Sequence, residues 1–116
     1  MDKRDNDRAT LLRVALDVAH RLTQFETYGG SEARALGALK RRCPQFDESQ
    51  YGQALSHAIA MVRDARRLVD SRAQQLLRDP AEVDDLVPKL RERQPGFADD
   101  EYHSIMRWML YYWHER

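Results

Sequence analysis

The chain has 116 residues, a single cysteine, and 19 acidic and 19 basic residues, so its formal net charge at pH 7 is zero. This length allows one hydrophobic core, the lone Cys43 excludes an internal disulfide, and the zero net charge excludes a global basic field that would attract nucleic acid. The charged start of the chain and its short uncharged runs predict neither a secretory signal nor a membrane span, so we expect a cytoplasmic protein.

Apolar residues at three- and four-residue spacing predict helices along most of the chain and no strand, so the expected fold class is all-α with about five helices. We predict a flexible terminus over 1–7 and a single helical domain over 8–116. The first helix spans 8–27. It ends at Gly29 and Gly30, because glycine adopts left-handed backbone angles at little cost.

A capping serine and a proline delimit the second helix. It spans 31–42, begins at Ser31 and ends before Pro44, because a proline pushes the preceding residue out of helical geometry. A third helix follows over 47–78 and would be about 45 Å long at a rise of about 1.5 Å per residue. A domain of this size does not need so long a helix, so we expect a kink or an exposed end.

The fourth and fifth helices follow from a capping pattern and from renewed apolar spacing. Residues 79–82 combine a capping aspartate, a first-turn proline and a glutamate three residues after the cap, which predicts the start of a helix. That helix would run to Arg93. Pro88 lies inside it, so the segment either bends or consists of two short helices. The last helix spans 98–115.

One thirteen-residue stretch occurs twice in the chain, 51 positions apart. Its identical pairs are Leu39/Leu90, Arg42/Arg93, Pro44/Pro95, Phe46/Phe97 and Tyr51/Tyr102. Since several of these residue types are uncommon, we interpret the similarity as a structural repeat. The expected architecture is two pseudo-symmetric helix-turn-helix repeats, about 8–60 and 61–115, which share the long central helix.

Each copy of the stretch predicts a proline-centred corner followed by a helix with an aromatic staple. In the first copy, Asp47 and Gln50 can each accept a hydrogen bond from the backbone N–H of the other, while Phe46 packs against Tyr51. The second copy keeps both aromatic residues but has Ala98 at the capping position. We therefore expect the second helix cap to be the weaker one.

Few residues indicate chemistry at an active site. Asp17 with His20, and Asp99 with His103, have spacings that can place two ligands on one metal ion, although solvated helix pairs with this spacing are common. Cys43 is interpreted as a partly buried structural thiol, because no adjacent base or oxyanion site is evident. We assign no catalytic residue, metal site or cofactor, and a small enzyme or metal-binding protein is the third functional hypothesis.

Charge is distributed unevenly along the chain. Residues 34–78 carry nine basic and four acidic side chains, a balance of +5, and residues 79–101 carry three basic and eight acidic ones, a balance of −5. The arginines that would form a phosphate-binding face, if the second and third helices pack side by side, are Arg41, Arg42, Arg63, Arg66 and Arg67. An arginine-rich, nucleic-acid-associated protein is therefore the alternative function, although interleaved aspartates favour ion pairs within the chain.

The last helix has more apolar side chains than one core-facing stripe needs. Trp108, Met109 and Tyr112 lie on one side of it and Trp113 on another. Tryptophan, tyrosine and methionine are enriched in the cores of protein interfaces. The extra side chains are either buried within the chain or form a surface for a protein partner or a second copy. We expect a small helical protein-interaction or scaffold protein without catalytic activity, with a homodimer through the last helix as one arrangement.

Overall fold

The computed structural model describes residues 3–25 and 27–114, which are helical apart from short turns and include no strand. The all-α fold class is therefore confirmed. The helices are α1 (Lys3–Phe25), α2 (Glu32–Arg42), α3 (Glu48–Ser71), α4 (Ala73–Arg78), α5 (Val87–Arg93) and α6 (Asp99–His114), with 3-10 helices at Thr27–Gly30 and Pro80–Leu86. The chain forms two compact units, Met1–Val62 and Arg63–Arg116.

In the first unit, α1 packs against α2 through small side chains. Ala15 and Ala19 on α1 and Ala35 on α2 have no exposed surface, and Leu39 is equally buried. Alanines on facing helices allow the two backbones to approach closely. The helix α1 begins at Lys3, five residues before the start predicted from apolar spacing, because charged residues without an apolar stripe can still extend a helix through their own helix propensity.

The connection between α1 and α2 has three consecutive residues with left-handed backbone angles. Gly29 and Gly30 have the predicted left-handed angles, with φ of 65° and 72°, and Tyr28 has φ of 67°. The helix α1 ends at Phe25, before the predicted end at residue 27, and the two glycines close a 3-10 helix. A tyrosine in this region is uncommon because its Cβ crowds the backbone. The helix α2 then begins as predicted, with the Ser31 hydroxyl accepting a hydrogen bond from the backbone N–H of Arg34 at 3.3 Å.

The predicted single helix over 47–78 is wrong, because the chain breaks at Arg72 between α3 and α4. The hydroxyl of Ser71 donates to the carbonyl of Leu68 at 2.8 Å, and the N–H of Arg72 donates to Val69, three residues back, at 3.1 Å. Side-chain hydrogen bonds to the preceding turn compete with the α-helical pattern and commonly bend helices. Of the two outcomes expected for so long a helix, a kink or an exposed end, the structure has a kink, in the form of a one-residue interruption at Arg72.

The segment that follows α4 is also shorter and tighter than a single helix. Pro80 opens a 3-10 helix, and Pro88 lies in the first turn of α5, so of the two outcomes considered for Pro88 the structure has two short helices. The predicted side-chain cap at Asp79 is wrong. Asp79 ends α4, since its N–H donates to Gln75 at 3.1 Å, and its side chain makes no capping hydrogen bond.

In the second unit, α6 supplies a stripe of large side chains to the core. Tyr102, Ile105, Met106 and Met109 are at most 3% exposed. The residues that share this core come from α4, the second 3-10 helix and α5: Leu76, Val83, Leu86, Val87 and Leu90. This stripe fixes which face of α6 points outward.

Candidate interaction surface

The first corner contains the capping arrangement that the sequence predicts. The N–H of Gln50 donates to Asp47 Oδ1 at 2.8 Å, and the N–H of Asp47 donates to Gln50 Oε1 at 2.9 Å. The rings of Phe46 and Tyr51 lie edge to face with centroids 6.0 Å apart. The capping box and the aromatic staple are therefore confirmed in this corner, and together they fix the direction in which the chain enters α3.

A tyrosine hydroxyl closes each corner, which the sequence analysis did not predict. In the first corner the Tyr51 hydroxyl donates to the carbonyl of Cys43 and accepts from the N–H of Phe46, the latter at 3.2 Å. Tyr51 is 4% exposed. The signal was present in the sequence, because a buried tyrosine needs a partner for its hydroxyl and the nearest unsatisfied backbone groups are those of the preceding turn.

The second corner repeats these contacts with every residue number raised by 51. The Tyr102 hydroxyl donates to Gln94 O at 2.5 Å and accepts from the N–H of Phe97 at 3.3 Å, and the two rings are again 6.0 Å apart. The N–H of Ala98 donates to Glu101 Oε1 at 3.0 Å. The second capping box lacks only the side-chain acceptor that Asp47 supplies in the first corner, because Ala98 stands at the corresponding position.

The ion pairs that connect the flanking helices also match. Lys40 Nζ lies 2.5 Å from Glu48 Oε1, and Arg91 Nη2 lies 2.7 Å from Asp99 Oδ1, again with an offset of 51. Each pair ties the helix before a corner to the helix after it. Pro44 and Pro95 are exposed within the two turns, where they stop the preceding helices.

The two Asp/His pairs considered as metal ligands are occupied by other contacts. Asp17 pairs with Arg42, whose Nη1 lies 2.6 Å from its Oδ2. His20 lies on α1 beside Phe25, with ring centroids 5.8 Å apart, and burial lowers the pKa of its imidazole. An arginine thus competes with any cation for the Asp17 carboxylate.

The residues of the second pair, Asp99 and His103, each contact a different residue. His103 Nδ1 lies 2.9 Å from Asp84 Oδ1, and Arg107 Nη2 lies 3.1 Å from the other oxygen of the same carboxylate. Asp99 is the partner of Arg91. The His103 hydrogen bond and the Arg107 hydrogen bond hold the pKa of Asp84 below its usual value. Within residues 3–25 and 27–114, no group of three metal-ligating side chains is formed.

Cys43 is buried at the end of α2, with 7% of its surface exposed. Burial raises the pKa of its thiol, and the nearby charge of Arg42 offsets this only in part. A thiol with a raised pKa carries little thiolate at neutral pH, so it is a poor nucleophile. This placement fits the structural role expected for Cys43.

The five arginines proposed as a phosphate-binding face belong to different units. Arg41 and Arg42 lie in the first unit, and the other three follow one another on α3 in the second. The ion pairs among the five are Arg42 with Asp17 at 2.6 Å, Arg66 with Asp70 at 4.0 Å and Arg67 with Asp64 at 3.7 Å. Aspartates thus neutralise part of the charge that a phosphate would need.

The four residues of α6 proposed as an interaction surface differ in exposure. Trp108 is 46% exposed, Tyr112 and Trp113 are partly buried, and Met109 is only 3% exposed and belongs to the core. Tyr111, which the sequence pattern did not indicate as part of this surface, is 53% exposed. The discrepancy has a geometric cause, because the buried Tyr102 places Met109, seven residues on, at the centre of the core-facing stripe.

The exposed aromatic side chains pack against one another. We call Trp108, Tyr111 and Tyr112 the aromatic patch. The Trp108 ring stacks on Tyr112 at 5.7 Å with an interplanar angle of 23°, and meets Tyr111 edge to face at 5.7 Å and 89°. Burial and the neighbouring Tyr111 raise the pKa of Tyr112. The patch is therefore ordered by its own contacts and still presents aromatic surface to solvent.

An open groove lies beside the aromatic patch, between α6 and the second 3-10 helix. Its apolar lining consists of Pro80, Ala81, Val83, Leu110 and Tyr111. The Asp84–Arg107 ion pair contributes the polar part of the lining. The groove and the aromatic patch share Tyr111, so they form one continuous surface within the second unit.

No family model, no curated protein and no solved structure matches this chain. Among the described residues, every helix is too short or too polar to cross a lipid bilayer.

Proposed function

We propose that this protein is a small helical interaction or scaffold protein that binds another protein chain through its last helix and catalyses no reaction. The observation that carries this proposal is the exposure of Trp108 and Tyr111 on the outward face of α6. Tryptophan and tyrosine dominate the energetics of protein interfaces because each offers a large, rigid apolar surface together with a polar group.

The contacts within the aromatic patch favour binding over simple exposure. Trp108 is held between its stacked and edge-on neighbours, so little side-chain freedom remains to be lost when a partner covers it. Complete burial of a large apolar side chain contributes roughly 1.5–3 kcal/mol, and a partner could add about half of this at Trp108 and at Tyr111, which are 46% and 53% exposed. The groove beside the patch offers a concave apolar surface of the kind that receives side chains from a partner.

The corners support the proposal by fixing the scaffold that carries α6. The same set of hydrogen bonds, ring contacts and ion pairs occurs in both corners with an offset of 51. We interpret the chain as two related helix-turn-helix repeats, with α6 in the place that the start of α3 occupies in the first repeat. The buried free thiol of Cys43 is compatible with a reducing compartment such as the cytoplasm.

An arginine-rich nucleic-acid-associated protein is the second candidate, and the exposure of Arg67 favours it. The side chain of Arg67 is 75% exposed although it lies 3.7 Å from the largely buried Asp64, so most of its guanidinium surface is open to a phosphate group. Binding to duplex DNA that falls steeply as salt rises would support this candidate.

A photo-cross-linking amino acid at Tyr111 tests the leading proposal. We expect this variant to form covalent adducts with a defined set of protein chains in cells that express it. The matched control places the same amino acid at Leu77, which is 47% exposed in the same unit but lies outside the patch and the groove. Equal labelling at both positions, or adducts with nucleic acid alone, would contradict the proposal.

A further inference from the structure

The 3-10 helix that lines the groove also has an acidic row of side chains outside the lining itself. Glu82 and Asp85 lie three residues apart on the 3-10 helix, where side chains at this spacing are eclipsed and so share one ridge. Asp79 precedes them by a further three residues. We call these three residues the acidic edge. All three are exposed, and within residues 3–25 and 27–114 none forms an ion pair.

The same unit has an exposed basic surface on α3. We call Arg63, Arg66 and Arg67 the basic ridge, because their spacing of three and four residues places them on one helix face. Arg63 forms no ion pair among the described residues, and Arg66 has an exposed partner, Asp70, at 4.0 Å. An exposed pair of this kind contributes at most about 1 kcal/mol. Arg67 lies 3.7 Å from Asp64, whose side chain is only 16% exposed, but the Arg67 side chain itself is 75% exposed. The basic ridge therefore has charge to offer a carboxylate on another chain.

We propose that the occupant of the groove is a second copy of this chain, whose basic ridge docks on the acidic edge and whose arginines lie over the aromatic patch. This inference rests on the proposed function and names its partner. Charge complementarity carries it, since exposed carboxylates without ion-pair partners lie on the 3-10 helix that lines the groove, and exposed guanidinium groups line α3 of the same molecule. A guanidinium group also binds favourably over the face of tryptophan or tyrosine.

The contact is predicted to be head to tail, because the two surfaces that meet are different surfaces of the same molecule. A chain with zero net charge has no overall repulsion to keep its copies apart. Salt should weaken the association, since both the acidic edge and the basic ridge are exposed and exposed charges are screened within about a Debye length.

Sedimentation equilibrium on the full chain tests this inference with two charge-reversed variants. One carries Glu82→Arg with Asp85→Arg, and the other carries Arg63→Glu with Arg67→Glu. We expect the wild-type chain to self-associate, more weakly at high salt, and each variant alone to lose at least about tenfold in self-association. Mixing the two variants should restore association, because each brings the charge that the other lacks.

The control variant carries Glu32→Arg with Glu92→Arg, which changes the net charge as much as the first variant does but at exposed positions outside the acidic edge. We expect it to associate like the wild type. Restoration on mixing excludes misfolding as the cause of the loss. A wild-type chain that stays monomeric up to about 1 mM, a control as weak as the first variant, or a mixture that does not associate would each overturn the inference.

The outcome separates this inference from the proposed function. Adducts from the Tyr111 cross-linker to other proteins, with a chain that remains monomeric, would overturn the second-copy inference and leave the interaction function in place. Salt-sensitive self-association that survives both charge reversals would overturn the docking geometry. Absence of any protein adduct from Tyr111 would overturn the proposed function as well.

Discussion

Replacing Tyr102 by phenylalanine removes one oxygen atom from the second corner and leaves the ring in place. That oxygen donates to Gln94 O at 2.5 Å and accepts from the N–H of Phe97 at 3.3 Å, in a side chain that is 1% exposed. Each hydrogen bond contributes about 0.5–1.5 kcal/mol net. The substitution should therefore lower the free energy of unfolding by about 1–3 kcal/mol.

Urea denaturation followed by circular dichroism measures this change. The matched control is Tyr111→Phe, which removes the same atom from a side chain that is 53% exposed and should change the free energy of unfolding by less than about 0.5 kcal/mol. Tyr51→Phe should destabilise the first corner by a similar amount, since its hydroxyl has the corresponding partners. If Tyr102→Phe is no more destabilising than Tyr111→Phe, the hydroxyl does not hold the corner and the reasoning fails.

The remaining predictions concern caps, backbone angles and pH. Ala98→Asp should stabilise by about 0.5–1 kcal/mol by completing the capping box, and destabilisation in urea would show that the register of the second corner is wrong. Gly52→Ala should stabilise the fold and Gly30→Ala should destabilise it, each by about 1 kcal/mol. An added Cβ meets open space at both positions, but only Gly30 has a positive φ, of 72°. Equal melting temperatures of the two variants would contradict this prediction. The pKa of Asp84 is lower in the folded chain than in the unfolded chain. The Asp84 carboxylate therefore stabilises the fold above its unfolded pKa of about 3.9, and this stabilisation is lost as the pH falls through its folded pKa. Asp84→Asn should flatten the dependence of the free energy of unfolding on pH in that acidic range.

The corners were largely predictable because their contacts depend on neighbouring residues. Asp47 and Gln50 are three residues apart, and Phe46 and Tyr51 are five apart, so the pattern of residue types alone indicates which groups meet. The break at Arg72 was not predictable in the same way. No glycine or proline marks it, and it coincides with a hydrogen bond from one serine hydroxyl to the preceding turn.

The candidate surface was predicted only in part, because exposure depends on the rotation of a helix about its axis. The sequence shows that α6 has more aromatic residues than its core-facing stripe needs. Met109 was expected on the surface and is buried, whereas Tyr111 is exposed, because residues elsewhere in the fold decide which face of α6 meets the core. The partner of His103 is Asp84, nineteen residues earlier, on an element that approaches α6 only in the folded unit. Periodicity along one helix contains no information about such contacts.

The tyrosine hydroxyls of the two corners have a consequence for the speed of folding. Each reaches a carbonyl only eight residues back along the chain, so closing the corner requires a short loop with a small entropic penalty. Proteins dominated by contacts between residues close in sequence fold in microseconds to milliseconds. The corners can therefore form before distant segments of the chain have met, and the early refolding of a denatured chain should already show both tyrosines protected from solvent.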